Sequence, residues 1–142
     1  MKTRNPDYKS CVEAMFTNAP FIADMGIRLT SVAPGICETM LDILPKHRQH
    51  IGNVHGGVLA TMAGHTAGAA ATTIIPANRA IVGLEFHVNL LRLVKTDRVV
   101  CRAEILKPGT RIIVAESNVY DGTSLRKKLA TQTTFTFAVE KI

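Results

Sequence analysis

The chain has 142 residues, 46% of them apolar and 20% charged, with ten glycines, six prolines and no tryptophan. That is enough for one domain whose core needs no disulfide or metal, and the composition excludes disorder and collagen-like repeats. A net charge of +6 favours an anionic partner, whether nucleic acid, an acidic membrane or a phosphate-bearing small molecule.

Near the N-terminus Tyr8, Cys11, Val12, Met15 and Phe16 recur at helical spacing, which predicts a helix with one apolar stripe, ended by Pro20. Charges at Lys2, Arg4, Asp7, Lys9 and Glu13 interrupt the hydrophobic region that a signal peptide would need. The segment 27–33 reads as a strand, Pro34-Gly35 as a turn and 36–44 as a second strand, with Cys37, Thr39, Leu41 and Ile43 alternating against Glu38, Met40 and Asp42. A polar loop, 45–53, follows. From Gln49 to Asn78 there is no Asp, Glu, Lys or Arg. This stretch predicts a helix from about His55 to Ile75, stopped by Pro76. The run 58–75 approaches the ~20 residues of a membrane span, but it is mostly alanine and glycine and carries His65 and threonines. A helix without a polar face is then one enclosed by its own protein.

The remainder predicts strands. Residues 80–91 place Val82, Leu84, Phe86, Val88 and Leu90 on one face, expected to be core, and Gly83, Glu85, His87 and Asn89 on the other. The runs 97–106, 110–120 and 125–139, with turns at Lys107-Pro108-Gly109 and Asp121-Gly122, complete an antiparallel meander. Residues 1–142 thus form a single domain: an N-terminal helical segment, 1–25, and a core, 26–142. The expected class is α+β, a curled antiparallel sheet around one long central helix. A long, half-apolar strand such as 80–91, left at an edge, would invite pairing with a second copy, so a dimer is expected. Cys11, Cys37 and Cys101 are few, odd in number and widely spaced, which suits a reducing cytoplasm.

Chemistry concentrates in Gln49 to Gly68. Gly56 and Gly57 open the long helix, where the first backbone N–H groups have no partner inside the helix and can be approached closely. Such an end, with the positive pole of the helix dipole, suits an oxyanion developing on a carbonyl. Glycines also open helices merely to let the chain bend. Asn53 is a candidate substrate contact, or could instead hold the loop by bonding its own backbone.

This segment, together with Met25-Gly26 before the first strand, His55-Gly56-Gly57, the small-residue run 66–70 and Asn89-Leu90-Leu91-Arg92, resembles the hotdog-fold acyl-CoA thioesterases of the PaaI-like group, over roughly Phe21 to Val139. The resemblance implies a hotdog fold, a homodimer joined sheet edge to sheet edge, often paired into a homotetramer, and hydrolysis of an acyl-CoA thioester at the dimer interface. It implies that the Gly56 N–H polarises the thioester carbonyl, that His55 orders the turn, and that Gln49 holds water or the thioester. A solvated loop amide is the other reading of Gln49.

At the position where the family usually carries its catalytic carboxylate this chain has Gly64, and the helix bears no acidic residue at all. Glycine can be neither base nor nucleophile. Gly56 and Gly64 lie ~12 Å apart along one helix, too far to touch the same carbonyl, so a site using both positions takes them from different subunits. His65, adjacent but rotated ~100°, is a candidate base of suitable ordinary pKa, or else a core histidine bonded to a carbonyl or a threonine. Glu85 and His87 are weaker candidates.

Acyl-CoA is a polyanion, and Arg92, Lys95, Arg98, Lys107, Arg111 and the run 126–128 are cations of the required kind; Arg92 and Arg111 are taken as phosphate contacts, against the reading of a solvated basic surface. Gly57, Gly64 and Gly68 leave room for a ligand, although small residues also serve close packing. Nucleic acid is disfavoured by the scarcity of aromatics among the basic residues. No metal site is expected, since His47, His50 and His55 lack partners at ligand spacing. Coenzyme A enters as part of the substrate, and no separate cofactor is expected. Pro45-Lys46-His47-Arg48 faintly resembles the hotdog dehydratases, which also need the missing acid. The sequence therefore leaves a thioesterase, acting on an acyl- or aryl-acyl-CoA, beside a hotdog protein that binds such a ligand without turnover.

Overall fold

The computed structural model describes residues 1–142. Helix α1, Tyr8–Thr17, buries Val12 and Phe16. Pro20 does not simply end it. The chain leaves α1 at Asn18, and Pro20 opens a second short helix, α2, Pro20–Met25, because a proline at the first helical position lacks only an N–H that would be unpaired anyway. Gly26, at φ 85°, closes α2 in the left-handed conformation that favours glycine.

Strands β1, Arg28–Ala33, and β2, Ile36–Asp42, form the expected hairpin, and Cys37, Thr39, Leu41 and Ile43 point into the core. A 3-10 turn, Pro45–His47, leads to α3, Gly56–Thr72, somewhat shorter than expected. At its end the Thr73 hydroxyl donates to Ala70 O and accepts the Gly35 N–H, which ties the helix to the β1–β2 turn, and Pro76 has no N–H to bond Thr72 O. Strands β3, Arg79–Leu90, β4, Arg98–Lys107, β5, Ile112–Asp121, and β6, Leu129–Lys141, follow. The last begins four residues later than expected, since 125–128 belong to the turn and Lys128 takes a φ of 58°.

All pairings are antiparallel, in the order β1-β2-β4-β5-β6-β3. Only β4, β5 and β6 make a meander. α3 carries the chain from β2 to the far edge of the sheet, where β3 pairs with β6, and residues 91–97 bring it back beside β2, pinned by Asp97 O accepting the Ile43 N–H. The sheet curls around α3, which packs against β2 through β6 and has Met62, Ala63, Ala67, Ala69, Ala70 and Ala71 wholly buried. Its one polar layer is internally satisfied: the Thr66 hydroxyl donates to Met62 O and meets the Thr39 hydroxyl at 2.7 Å.

The apolar face expected on β3 is not core in this chain. Val82, Leu84, Phe86 and Leu90 are 49 to 58% exposed. Two causes combine: β3 is an edge strand with one neighbour, and Leu84 is an extra residue between the pairs Gly83–Phe137 and Glu85–Thr136. That bulge puts Val82 and Phe86 on opposite sides of the strand.

Candidate active site

The site begins in the loop before α3. His47 is buried; its Nδ1 accepts the Leu44 N–H at 2.9 Å, so Nε2 carries the proton and donates to Met25 O at 2.8 Å. This ring fastens the loop to the end of α2, and His47 O then accepts the His55 N–H at 2.9 Å, which sets where α3 begins. Between them Gln49 Oε1 accepts the N–H groups of Ile51, at 2.7 Å, and Asn53, at 3.3 Å. The amide that holds the loop is therefore Gln49, and the self-bonding role expected of Asn53 is not taken by its own side chain. With its oxygen committed, Gln49 offers a ligand only the two hydrogens of Nε2.

His55 caps α3: its Nδ1 accepts the Gly57 N–H at 2.8 Å, and its carbonyl accepts that of Val58 at 3.0 Å. The N–H of Gly56, the first helical residue, is left to an incoming group. Both glycines are fitted to their places. A Cβ at 57 would lie 2.9 Å from the capping Nδ1, and one at 56 would lie 2.7 Å from Leu90 Cδ1 on β3. The sequence has so placed a backbone donor at the positive end of a 17-residue helix, preceded by the loop that Gln49 holds.

Gly64 faces β6, where a Cβ would meet the Phe135 ring at 2.9 and 3.1 Å. The space of the absent side chain is thus filled by an aromatic ring. Gly68 is no ligand surface: it is buried, with Ile81 at 3.2 Å and Phe137 at 4.0 Å from a Cβ placed there, and the neighbouring alanines serve close packing of helix on sheet.

Of the two readings of His65, its surroundings match the core histidine bonded to a carbonyl. Its ring turns toward α1, where Nε2 lies 3.1 Å from Met15 O and Phe16 meets it edge-on at 4.7 Å. Burial pushes its pKa below the ordinary histidine value, partly opposed by the Met15 carbonyl. Glu85 and His87 pair with Thr136 and Thr134, and this register turns them away from the face occupied by Phe135 and Phe137. Cys37 and Cys101 are buried thiols pushed up to about 12 and about 11 by desolvation, unsuited to act as nucleophiles.

Arg92 and Arg111 are not brought together. The Arg92 N–H donates to Ala130 O, whereas Arg111 O accepts from Val139, so they flank opposite ends of β6, roughly 30 Å apart at ~3.4 Å per residue. Arg92 is at the Gly56 end. Arg48 and Arg98 are already paired, with Asp97 and Asp42. No cluster of three or more His, Cys, Asp or Glu comes together as a metal site, and no helix is long and apolar enough to cross a membrane.

Two features were missed by the sequence reading. His47 is one. The other is an aromatic row, Phe86 on Phe135 at 5.0 Å and 19°, then Phe135 on Phe137 at 5.8 Å and 10°. The alternation Thr134-Phe135-Thr136-Phe137 was the available signal, since it puts both rings on one face.

A model of the thioesterase superfamily matches residues 51–127. The 1,4-dihydroxy-2-naphthoyl-CoA hydrolase of Listeria monocytogenes is 32% identical over 117 residues, 82% of this chain and 93% of that protein. A thioesterase family protein from Silicibacter pomeroyi superposes with a TM-score of 0.89 at 27% identity, over 95% of this chain and 99% of the other. A conserved protein from Pseudomonas aeruginosa superposes at 0.78 with 29% identity, over 85% and 94%. The chain belongs to the thioesterase superfamily, and its antiparallel sheet curled about α3 is the hotdog fold.

Proposed function

We propose that this member of the thioesterase superfamily hydrolyses the thioester of an acyl- or aryl-acyl-CoA, at a site completed by two copies of the chain. The observation that carries the reading is the open Gly56 N–H at the start of α3, with the neighbouring Gly57 N–H already taken by His55. A thioester oxygen placed there accepts a hydrogen bond that strengthens as the oxygen becomes an oxyanion. Gln49, whose Oε1 is bound within the loop, keeps its Nε2 hydrogens as a second donor for water or the thioester. Water then bonds to the polarised carbon, the C–S bond breaks, and the proton released by the water ends on the sulfur, giving a carboxylic acid and free CoA.

Position 64 bears no side chain to assist the water and Met15 O engages the His65 Nε2, which supports a reaction that relies on carbonyl polarisation. The half-exposed apolar residues of edge strand β3 support pairing with a second copy, as homodimer or homotetramer, which would set one subunit's Gly56 against the other's Gly64 region. Coenzyme A is then substrate rather than cofactor. Three free cysteines, two of them buried, are consistent with a reducing cytoplasm.

A second reading, binding of a CoA thioester without turnover, is favoured by one contact, the Phe135 ring in the space of a helix side chain at 64. Thiol release from short, medium, long and aryl CoA esters separates the two. Release above the spontaneous rate supports hydrolysis. Calorimetric binding of the same esters without release supports the binder, and neither binding nor release refutes both.

A further inference from the structure

Three loops, 43–55, 91–97 and 122–128, meet at the end of the sheet where α3 begins, and they are laced to one another. Asp97 O accepts the Ile43 N–H, the Asp97 carboxylate pairs with Arg48, and the Gly122 N–H donates to Arg98 O. Asp121, buried at the close of β5, accepts the Lys95 N–H at 2.8 Å and both the N–H and the hydroxyl of Thr96, at 3.0 and 2.7 Å. The carboxylates of this end are all engaged in this way: Asp24 pairs with Lys46, Asp42 with Arg28 and Arg98, Asp97 with Arg48, and Asp121 is turned inward. Lys95, Arg126 and Lys127, by contrast, are exposed and enter no ion pair, so the surface is positive without local compensation. Beside them Leu44, Ile51 and Leu93 protrude from the first two loops, 49, 70 and 52% exposed. The cleft between the loops, about 880 Å3 and lined by Asp42, Arg48, Asp97, Arg98 and Thr123 among others, does not include these apolar side chains.

We propose that this end of the protein rests on an anionic phospholipid surface, with Lys95, Arg126 and Lys127 among the headgroups and Leu44, Ile51 and Leu93 entering the apolar boundary beneath. A phosphate-bearing small molecule would use the charges and leave the apolar tips in water. A protein partner laying down a helix would need an apolar groove, whereas these side chains stand singly on loops around a polar cleft. A fluid lipid interface accepts separate apolar tips and cations together. Each Lys or Arg held near such a surface strengthens attachment about five-fold, and salt weakens it. The contact lies beyond the thioester chemistry and does not depend on it; Arg92, beside the Gly56 end, is left to the phosphates of the thioester.

Co-sedimentation with vesicles of phosphatidylcholine, alone or with about 30% phosphatidylglycerol, tests the proposal. Wild type should pellet with the anionic vesicles at about 50 mM salt, and neither with the neutral ones nor at about 500 mM salt. Lys95→Gln, Arg126→Gln and Lys127→Gln combined should weaken binding about 100-fold, five-fold for each charge. Lys128 is kept because it turns the loop at φ 58° and faces Asp121. Ile51→Ser with Leu93→Ser should weaken binding about ten-fold or more without changing its salt dependence. The opposite end of the sheet also carries cations, and there Arg79→Gln, Lys107→Gln and Lys141→Gln combined should cost less than about five-fold. No pelleting of wild type with anionic vesicles overturns the proposal. Equal losses in the two triple variants overturn it as well, since net charge alone would then account for the attraction. Unchanged binding in the double serine variant does the same, and so does release from the vesicles by free CoA beyond that by sulfate of equal ionic strength, which would assign the cations to a substrate's phosphates.

Discussion

Replacing Gly56 by proline deletes the one N–H on which the site is argued to depend, while leaving the helix ladder intact. The first helical position is where proline is tolerated, because its missing N–H is not part of the helix ladder. His55 ahead of it has φ −64° and ψ 133°, the extended conformation a residue before proline adopts. A Cβ at this position meets Leu90, whose Cδ1 would lie 2.7 Å away, and the proline ring adds Cγ and Cδ beside the former N–H. Gly56→Ala brings the same contact while keeping the N–H, and is therefore the reference. Loss of one oxyanion donor costs ~100- to 1,000-fold in kcat, so Gly56→Pro should release thiol at least about 100-fold more slowly than Gly56→Ala. Both variants should melt within a few degrees of each other, since neither alters the His55 cap. Rates within about three-fold of one another, at equal stability, would refute the assignment of Gly56 as the polarising donor.

Three further outcomes follow from the same geometry. His55→Ala leaves the Gly57 N–H without its acceptor and should cost ~1 kcal/mol, a fall of about 3–5 °C in melting temperature that His55→Asn recovers; equal melting of His55→Ala and wild type would sink the capping role. Burial lowers the folded pKa of His65, so the unfolded chain takes up this proton at higher pH than the folded one. Its contribution to stability is complete above about pH 6.5 and is lost as pH falls toward the folded value. Urea midpoints between pH 5 and 8 should therefore slope less in His65→Gln, which should also keep thiol release at pH 7.5, whereas a release rate that collapses would restore His65 as base. Leu84→Lys puts a charge on the exposed apolar edge and should yield, by sedimentation, a monomer without activity; an active monomer would refute the two-copy site.

What the sequence disclosed and what it hid divide along the range of the interactions concerned. On β2 and β5 strict alternation is followed residue by residue in the burial, because each strand has neighbours on both sides and α3 over one face. On β3 the same alternation misleads, because nothing in it announces an edge position, and the bulge has only Gly83 to betray it. The start of α3 was legible for a similar reason: capping of Gly57 by His55 spans two residues. The orientation of His65 was not, since it is decided by Met15 and Phe16, some fifty residues earlier in the chain. Gly68 and the alanines around it read equally well as ligand space or as packing, and only the approach of Ile81 and Phe137 decides for packing.

Gly64 shows how far this non-locality reaches, and it reverses an ordinary expectation. Gly→Ala within a helix is normally worth ~1 kcal/mol of added stability, through reduced backbone freedom in the unfolded chain. Here the new methyl would stand 2.9 Å from Phe135 Cζ. The ring cannot swing aside cheaply, since it is buried and stacked between Phe86 and Phe137. Overpacking of this kind costs ~1–3 kcal/mol, more than the helix gains, so Gly64→Ala should destabilise the wild type. In a Phe135→Leu background the obstruction is gone and the same substitution should become neutral or stabilising. The change of sign, a coupling of ~1 kcal/mol or more in a double-mutant cycle of urea denaturation, would establish that glycine at 64 and the ring at 135 form one unit. Additivity within ~0.5 kcal/mol would refute it. If they are one unit, a carboxylate cannot be restored at 64 without first removing the aromatic shelf. Glycine at 64 and phenylalanine at 135 are then one feature of the site rather than two.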